Sequence, residues 1–367
     1  MSEASTPPLP PNLRCWVVTE GIAGTENQCL GVAEALGIKP SIKRIRLREP
    51  WNSLSPYLGF EQFWTFDPAL DLPYPDILIA SGRKSIAAAR YLKKVSFGAT
   101  FTVQIQDPRV PPEQFDLVAL PAHDPTRGKN VIVTTASPNR ITPERLAKAK
   151  EEFPEFAKIK SPRVAVLIGG NSKAYTLTAD MMKKLAADLK ALDAGLMITA
   201  SRRTGDENRK ILEDALLSRH PRGPAQPDLN GGDPEKDGGK AADIVDPVRA
   251  NAAIAACQRD DGSAYFWDGN GPNPYFGLLA WADYILVTAD SASMLSEAGT
   301  TGKPVYMVPM QGGSPRLDLL HENLQKAGVV QKFEGKLEKW DYTPLNDAQK
   351  VADFIREHLN RRRKQTI

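Results

Sequence analysis

Ser291, Ser293 and Glu297 are the residues whose types and spacing come nearest to a chemistry. A helix from about Ser291 to Thr301 would put Ser293 and Glu297, four apart, on one face. Ser291 fits the N-cap, its hydroxyl accepting from an amide of the first turn. A helix start with free N–H groups, two hydroxyls and one carboxylate suits a nucleotide. The amides and hydroxyls would face phosphate, and the carboxylate would accept from ribose hydroxyls. An ordinary capped helix with a solvated glutamate is the plainer reading of the same spacing.

The surrounding pattern places this helix on a sheet edge. Short apolar runs at Ala264–Trp267, Tyr284–Thr288 and Pro304–Pro309 alternate with helical stretches, which argues for βαβ units and a parallel sheet. Ligands of such sheets bind outside the carboxyl ends of the strands. The same order of strand, polar elbow and helix repeats along the chain. Leu13–Thr19 runs into Glu20–Gln28, with Gly21 and Gly24 in a spacing that is neither GxGxxG nor a Walker loop. Asp76–Ala80 runs into Ser81-Gly82-Arg83-Lys84-Ser85, two cations at a helix start that suit an anion. Thr100–Ile105 ends in Gln106-Asp107-Pro108-Arg109, where Pro108 turns Asp107 out of helical geometry. In the second half, Arg163–Ile168 ends in Gly169-Gly170-Asn171-Ser172 and Gly195–Ala200 in Ser201-Arg202-Arg203-Thr204.

The expected fold class is therefore α/β, with two Rossmann-like doubly wound domains and a cleft between them. Residues 1–12 read as a disordered, Pro-rich tail, and 13–155 as the N-terminal domain. A charged helical linker ends near 155–162, and 162–345 form the second domain. Within it, 221–243 is dense in Gly, Pro and Asp and reads as a flexible insertion, followed by a helix at Pro247–Cys257. A closing helix and basic tail occupy 346–367. Ile42–Leu47 reads as one edge strand. The aromatic-rich stretch 48–75 (Trp51, Tyr57, Phe60, Phe63, Trp64, Phe66) reads as core packing under a loop, or else as cover for an apolar acceptor or a membrane surface.

Composition narrows the function classes. The 367 residues carry 47 basic and 44 acidic side chains, a net +3, so no nucleic-acid partner is expected. The run Arg361–Lys364 is the one basic cluster, solvated or facing an anionic membrane. Three cysteines without a CxxC fit a reducing cytoplasm. No apolar run approaches the ~20 residues of a membrane span, and the first residues lack the pattern of a signal peptide. The four histidines are isolated, so no metal or other cofactor is expected.

Six motifs in order carry a resemblance across nearly the whole chain. TEGIAGTENQCLGVAEALG, ASGRKSIAAARYL, TVQIQDPR, IGGNSKAY, NPYFGLLAWAD and VTADSASMLSEAGTTGKPVY resemble the bacterial members of the mitochondrial-fission ELM-type family. Over about fifty residues the run AWADYILVTADSASMLSEAGTTGKPVYMVP is also similar to the nucleotide-sugar half-site of the lipid-II-forming N-acetylglucosaminyltransferases, enzymes of GT-B architecture. That likeness implies a glycosyltransferase using a nucleoside-diphosphate sugar. Glu297 would take the ribose, and Ser291, Ser293 and Gly169-Gly170-Asn171-Ser172 the diphosphate. Arg202 would neutralise the leaving group, while Phe266, Trp267, Asn273 and Tyr275 would hold the base. A lipid or glycan acceptor would bind near Gly24, Ser81, Gly82, Arg83, Gln106 and Arg109, with Asp107 or Glu26 as general base. The expected location is cytoplasmic, peripheral on the inner face of the membrane. Two other classes fit the same shell. One is a non-catalytic adaptor that recruits a partner to a membrane surface, the role the plant relatives imply. The other is a nucleotide-sugar epimerase, which needs a histidine across the cleft, and His123 alone is near a strand end.

Overall fold

The computed structural model describes residues 9, 12–217, 262–267 and 269–366. The 221–243 stretch, the expected helix at Pro247–Cys257 and nearly all of the Pro-rich tail lie outside the described residues.

The N-terminal unit opens with β1 (Cys15–Thr19), α1 (Ala23–Ala35) and β2 (Ser41–Arg44). Helix α1 stops where Gly37 takes φ 75°. There Gly37 N–H donates to Glu34 O, and Ile38 N–H to Ala33 O, the double bond that closes a helix through a left-handed residue. The expected strand Ile42–Leu47 breaks at Ile45. Its second part is β3 (Arg46–Leu47), which leaves the sheet to pair antiparallel with β4 (Phe66–Asp67). Between them lies the one-turn helix α2 (Trp51–Leu54). Then follow β5 (Ile77–Ser81), α3 (Ser85–Val95), β6 (Phe101–Ile105), β7 (Leu117–Pro121) and β8 (Val131–Thr134).

After α4 (Pro143–Glu152) the second unit contains β9 (Arg163–Ile168), β10 (Tyr175–Thr176), α5 (Ala179–Ala191), β11 (Gly195–Ala200) and α6 (Asp206–Leu216). It continues with β12 (Ala264–Trp267), α7 (Tyr275–Trp281), β13 (Tyr284–Thr288), α8 (Ala292–Thr300) and β14 (Val305–Val308). The last elements are β15 (Gln311–Gly312), α9 (Pro315–Lys326), β16 (Val330–Lys332) and α10 (Asp347–Thr366).

Each unit is built on a six-stranded parallel sheet, in the orders β2-β1-β5-β6-β7-β8 and β12-β11-β9-β13-β14-β16. The inner strands are buried along their whole length, which is why they read as continuous apolar runs and not as alternating ones. Both orders reverse direction once, between β1 and β5 and between β9 and β13. Those reversal points open the crevices where doubly wound sheets take ligands. The elbows after β1, β5, β9 and β13 are the polar ones singled out in the sequence.

The chain passes between the units twice. Ala136, Ile141, Phe153, Phe156 and Ile159 pack into the core of the second unit, so α4, drawn with the first unit by its sequence position, belongs structurally to the second. The closing helix α10 returns, and Val351, Ala352 and Ile355 fill the core of the first unit against α1. Asp347, at the start of α10, accepts from Thr135 N–H (3.1 Å) and Ala136 N–H (2.9 Å), which ties the outgoing and returning segments together.

The 48–75 stretch departs from the expected buried loop. Phe66 is in the core, whereas Tyr57, Phe60, Phe63 and Trp64 are exposed.

Candidate functional site

Two helix starts, one from each unit, meet at the gap between the sheets. On the first side, α1 begins with no side-chain cap, and Ile22 holds the cap position. Glu26 N–H returns to Ile22 O, while the amides of Ala23, Gly24 and Thr25 have no protein acceptor among the described residues. On the second side, Ser291 caps α8 by accepting from Met294 N–H at 3.4 Å. That leaves the Ala292 and Ser293 amides without a protein acceptor among the described residues. Gly24 faces Ser293 directly: a β-carbon at Gly24 would lie 3.5 Å from the Ser293 hydroxyl. Gly24, Asn27, Gln28, Ser137, Asn139, Ser293 and Glu297 line the gap, which is too tight here for a water molecule.

The segment that crosses between the units fixes this meeting. Ser137 N–H donates to Ser296 Oγ (3.1 Å). The Asn139 amide donates to Thr300 Oγ1 (2.9 Å) and Ser296 O (3.3 Å), while its Oδ1 accepts from Ile141 N–H (3.0 Å). Gly31 of α1 lies so close that a β-carbon would fall 2.2 Å from Asn139 O. The crossing segment therefore sits between α1 and α8, its backbone on Gly31 and its Asn139 side chain on α8.

Glu297 lies one turn beyond Ser293, 9% exposed. Tyr275 O–H donates to its Oε2 at 2.5 Å. Burial raises the carboxyl pKa from 4.5 to about 7, opposed in part by that hydrogen bond. Burial beside the Glu297 carboxyl also pushes the Tyr275 phenol well above its ordinary value. Tyr275 thus holds the carboxyl. Asn273 Oδ1 accepts from Tyr275 N–H at 3.0 Å and so starts α7. Phe266, expected near a base, is in the core, and the Trp267 indole N–H is spent on Asn270 O.

The loop Gly169–Ser172 is not the open phosphate cradle expected of it. Gly169 N–H donates to Thr288 Oγ1 (2.7 Å) and Gly170 N–H to Asp290 Oδ2 (3.1 Å). Asn171 N–H goes to Arg203 O, and Ser172 N–H to Tyr175 O. All four amides are consumed within the protein. The two glycines are there for clearance, since a β-carbon would sit 2.1 Å from Asp290 Oδ1 at Gly169 and 2.1 Å from the Arg203 backbone at Gly170. The buried Asp290 carboxylate also accepts from Thr288 Oγ1 (2.7 Å) and pairs with Arg203 (2.8 Å). Arg203, not its neighbour Arg202, is the cation that reaches Asp290, although both side chains are exposed.

The acceptor-side residues also find protein partners. Glu26 is tied to Arg44 by two hydrogen bonds, of 2.8 and 2.7 Å, and accepts from Thr19. The Arg44 hydrogen bonds hold its carboxyl below the usual range. Asp107 Oδ1 accepts from Arg109 N–H (3.0 Å) and Thr126 Oγ1 (2.7 Å). Its carboxylate closes the elbow and is not among the groups lining the gap. Arg109 is exposed, and Gln106 donates to the gap-lining Gln28 at 3.0 Å. At the β5 elbow, Glu20 Oε1 accepts from Lys84 N–H (3.0 Å), so the protein's own carboxylate caps the start of α3. Ser81 is fully buried, Gly82 gives Glu20 room to approach, and the Arg83 side chain is exposed.

A second polar contact spans the units and was not singled out in the sequence. Asp124, after β7, pairs with Arg316 of α9 at 2.6 Å, and burial raises its pKa. Beside it, burial holds His123 down at about 4, so that histidine is neutral. Among the described residues no three His, Cys, Asp or Glu side chains converge as a metal site would require.

A family model described as mitochondrial fission ELM1 matches residues 23–223 and 246–359. The chain belongs to that family. The match leaves out 224–245, inside which most of the Gly/Pro/Asp-rich insertion falls. Among curated relatives, the mitochondrial fission protein ELM1 of Arabidopsis thaliana is 26% identical, over 94% of this chain and 91% of its own length. An uncharacterized protein of Rickettsia prowazekii, RP120, is also 26% identical, over 94% of this chain and 98% of its own. Among solved structures, Acinetobacter baumannii MurG gives a TM-score of 0.43 at 12% identity, covering 94% of this chain and 90% of that one. S. aureus MnaA in a UDP co-structure gives 0.47 at 11% identity, covering 94% and 88%. The UDP-GlcNAc 2-epimerase of Neisseria meningitidis bound to UDP-GlcNAc gives 0.44 at 12%, covering 95% and 99%. Likenesses at this level carry no argument about chemistry, which rests on the site itself.

Proposed function

We propose that this ELM1-family chain binds a nucleoside-diphosphate sugar between its two sheets and transfers the sugar, as a GT-B-type glycosyltransferase. The observation that carries this reading is the meeting of two helix starts, α1 and α8, whose unpaired amides face one gap with Glu297 a turn away. Helix starts attract anions because their amides point outward and the helix dipole is positive there. Two of them supply a diphosphate with five amides and the Ser293 hydroxyl. The charge that grows on a departing nucleoside diphosphate would be met by these fixed dipoles. Glu297 would accept from the ribose hydroxyls, displacing Tyr275 as donor and ionising as it does so. Gly24 keeps the gap clear of side chains.

A non-catalytic adaptor is the second reading, and the tightness of the gap favours it. The bonds of Ser137 and Asn139 hold the units together with no room for a ligand, so a binder must first part them.

Calorimetric titration of the purified chain with UDP, GDP, CMP and their sugars separates the two. Saturable binding of one nucleotide, lost in Glu297→Ala, supports the transferase reading. Absence of binding at millimolar nucleotide would sink it and leave the adaptor.

A further inference from the structure

A cavity of about 810 Å³ lies where the chain passes between the units, and it shares no lining residue with the gap between α1 and α8. The start of α4 forms one wall, the turn after α8 a second, and the segment entering α10 a third. Helix α10 packs into the first unit and the other two walls into the second, so an occupant touches both units. The volume is that of a small-molecule site.

Much of the lining is apolar, supplied by Ile141, Leu146, Ala147, Ala280 and Pro344. Two lysines are set into it. Lys303 Nζ donates to Leu279 O (2.6 Å) and Ala280 O (2.7 Å), carbonyls of the last turn of α7. These bonds cap that helix, as lysines at helix ends do. An ammonium has three N–H donors. The third has no protein acceptor, and Lys303 forms no ion pair, among the described residues. Asp283, whose charge acts on it, accepts instead from Arg163 N–H at 2.7 Å. Burial, with Lys150 adding to it, lowers the Lys303 pKa from 10.5 to about 7. Lys150 is exposed, rests over the Trp281 ring at 5.3 Å, and likewise forms no ion pair among the described residues. Glu144 is the one carboxylate among the described lining residues, and it is turned back on Thr142 and its own amide.

A desolvated ammonium with a spare donor and no counter-charge, beside an apolar wall, complements an anion attached to an apolar body. The capping role accounts for two of the Lys303 bonds and leaves the cavity and the spare donor unexplained.

We infer that this crossover cavity is a second ligand site, for a small amphipathic carboxylate with its head on Lys303 and Lys150 and its aliphatic chain along Leu146, Ala147 and Ala280. The inference does not rest on the nucleotide-sugar reading.

The test is calorimetric titration of the full chain with decanoate, decanol and acetate. Decanoate should bind saturably at one site, and decanol and acetate should each bind at least about ten-fold more weakly, one lacking the charge and the other the chain. A bound carboxylate favours the ammonium form of Lys303, so decanoate affinity should fall as pH rises through about 7, with a proton taken up on binding. Lys303→Met should lower the affinity about ten-fold or more and flatten that pH dependence. That variant also loses the α7 cap, so a second one carries the test independently of folding. Ala147 is exposed on α4 and lines the cavity; Ala147→Phe should block decanoate while leaving the melting temperature unchanged. No saturable binding of decanoate to the wild-type chain overturns the inference, and so does undiminished binding to Ala147→Phe. Decanol binding as tightly as decanoate would show an apolar groove without a carboxylate subsite, and the inference would be wrong.

Discussion

Replacing Glu297 by Gln should stabilise the protein at high pH and leave it unchanged at low pH. Burial raises this carboxyl pKa from 4.5 to about 7. Between those values the native state keeps a proton that the unfolded chain has released. The stabilisation from this group is therefore complete below pH 4.5 and lost as pH rises through about 7. At about 1.4 kcal/mol per pH unit, the whole effect is roughly 3 kcal/mol. Glutamine keeps the shape and can still accept from Tyr275 O–H, but it cannot ionise. Urea unfolding of wild type and Glu297→Gln across this pH range isolates the group, because every other titration cancels in the difference. The two should coincide at the acid end and diverge by up to about 3 kcal/mol, variant more stable, at the alkaline end. A flat difference, or a more stable wild type at high pH, would show that the carboxylate is ionised in the free protein and refute the picture of a buried acid waiting for ribose hydroxyls.

Gly24→Leu should fill the gap opposite Ser293, since even its β-carbon would lie 3.5 Å from that hydroxyl. Calorimetry should show nucleotide affinity falling at least about a hundred-fold with the fold intact, whereas Gly24→Ala should retain binding. Gly169→Ala drives a β-carbon to 2.1 Å from Asp290 Oδ1; urea unfolding should show a loss of about 2–3 kcal/mol, and a fully stable variant would mean the loop relaxes freely. Arg203→Ala removes the cation from a buried aspartate and should cost about 1–3 kcal/mol, against less than about 0.5 kcal/mol for Arg202→Ala. Equal losses in the two would contradict the distinction drawn between these neighbours.

The division between what was legible in the chain and what was not follows the range of the interactions involved. Strands buried on both faces announce themselves as apolar runs, and each ends in a polar elbow, so the two sheets and their carboxyl-end edges could be read directly. The Ser293–Glu297 relation is a property of helix geometry alone and needed no partner. The Ser291 cap is local in the same way, and it forms. What the chain did not show is which polar groups are already spoken for. The amides of Gly169 and Gly170 are taken by Thr288 and Asp290, about 120 residues away. Glu26 is taken by Arg44 across the β1–β2 crossover. Nothing in the order of residues distinguishes Arg202 from Arg203; a single 3-10 turn sends one to Asp290 and the other to water. The same blindness hid the exposed aromatics, because a Phe reads as core until the backbone shows it on the outside.

The surviving assignment is narrower than the expected one, and the narrowing has a physical direction. Groups that satisfy one another inside a unit build the frame: Asp290 with Arg203, Glu20 with the start of α3, Asp107 with its own elbow. Where the two units touch, the amides at the starts of α1 and α8 have no protein acceptor among the described residues, and Glu297 lies a turn away with its raised pKa. Helix starts hold outward-pointing donors, and here two of them share one gap. Asn139 keeps that place in register from both sides, bonding Ser296 and Thr300 of α8 while its backbone presses on Gly31 of α1. Any ligand that enters this gap must part α1 from α8, where Gly24 meets Ser293, so binding and opening are one event. Affinity would then be lowered by the work of opening, and a nucleotide would report on the domain arrangement as much as on the pocket.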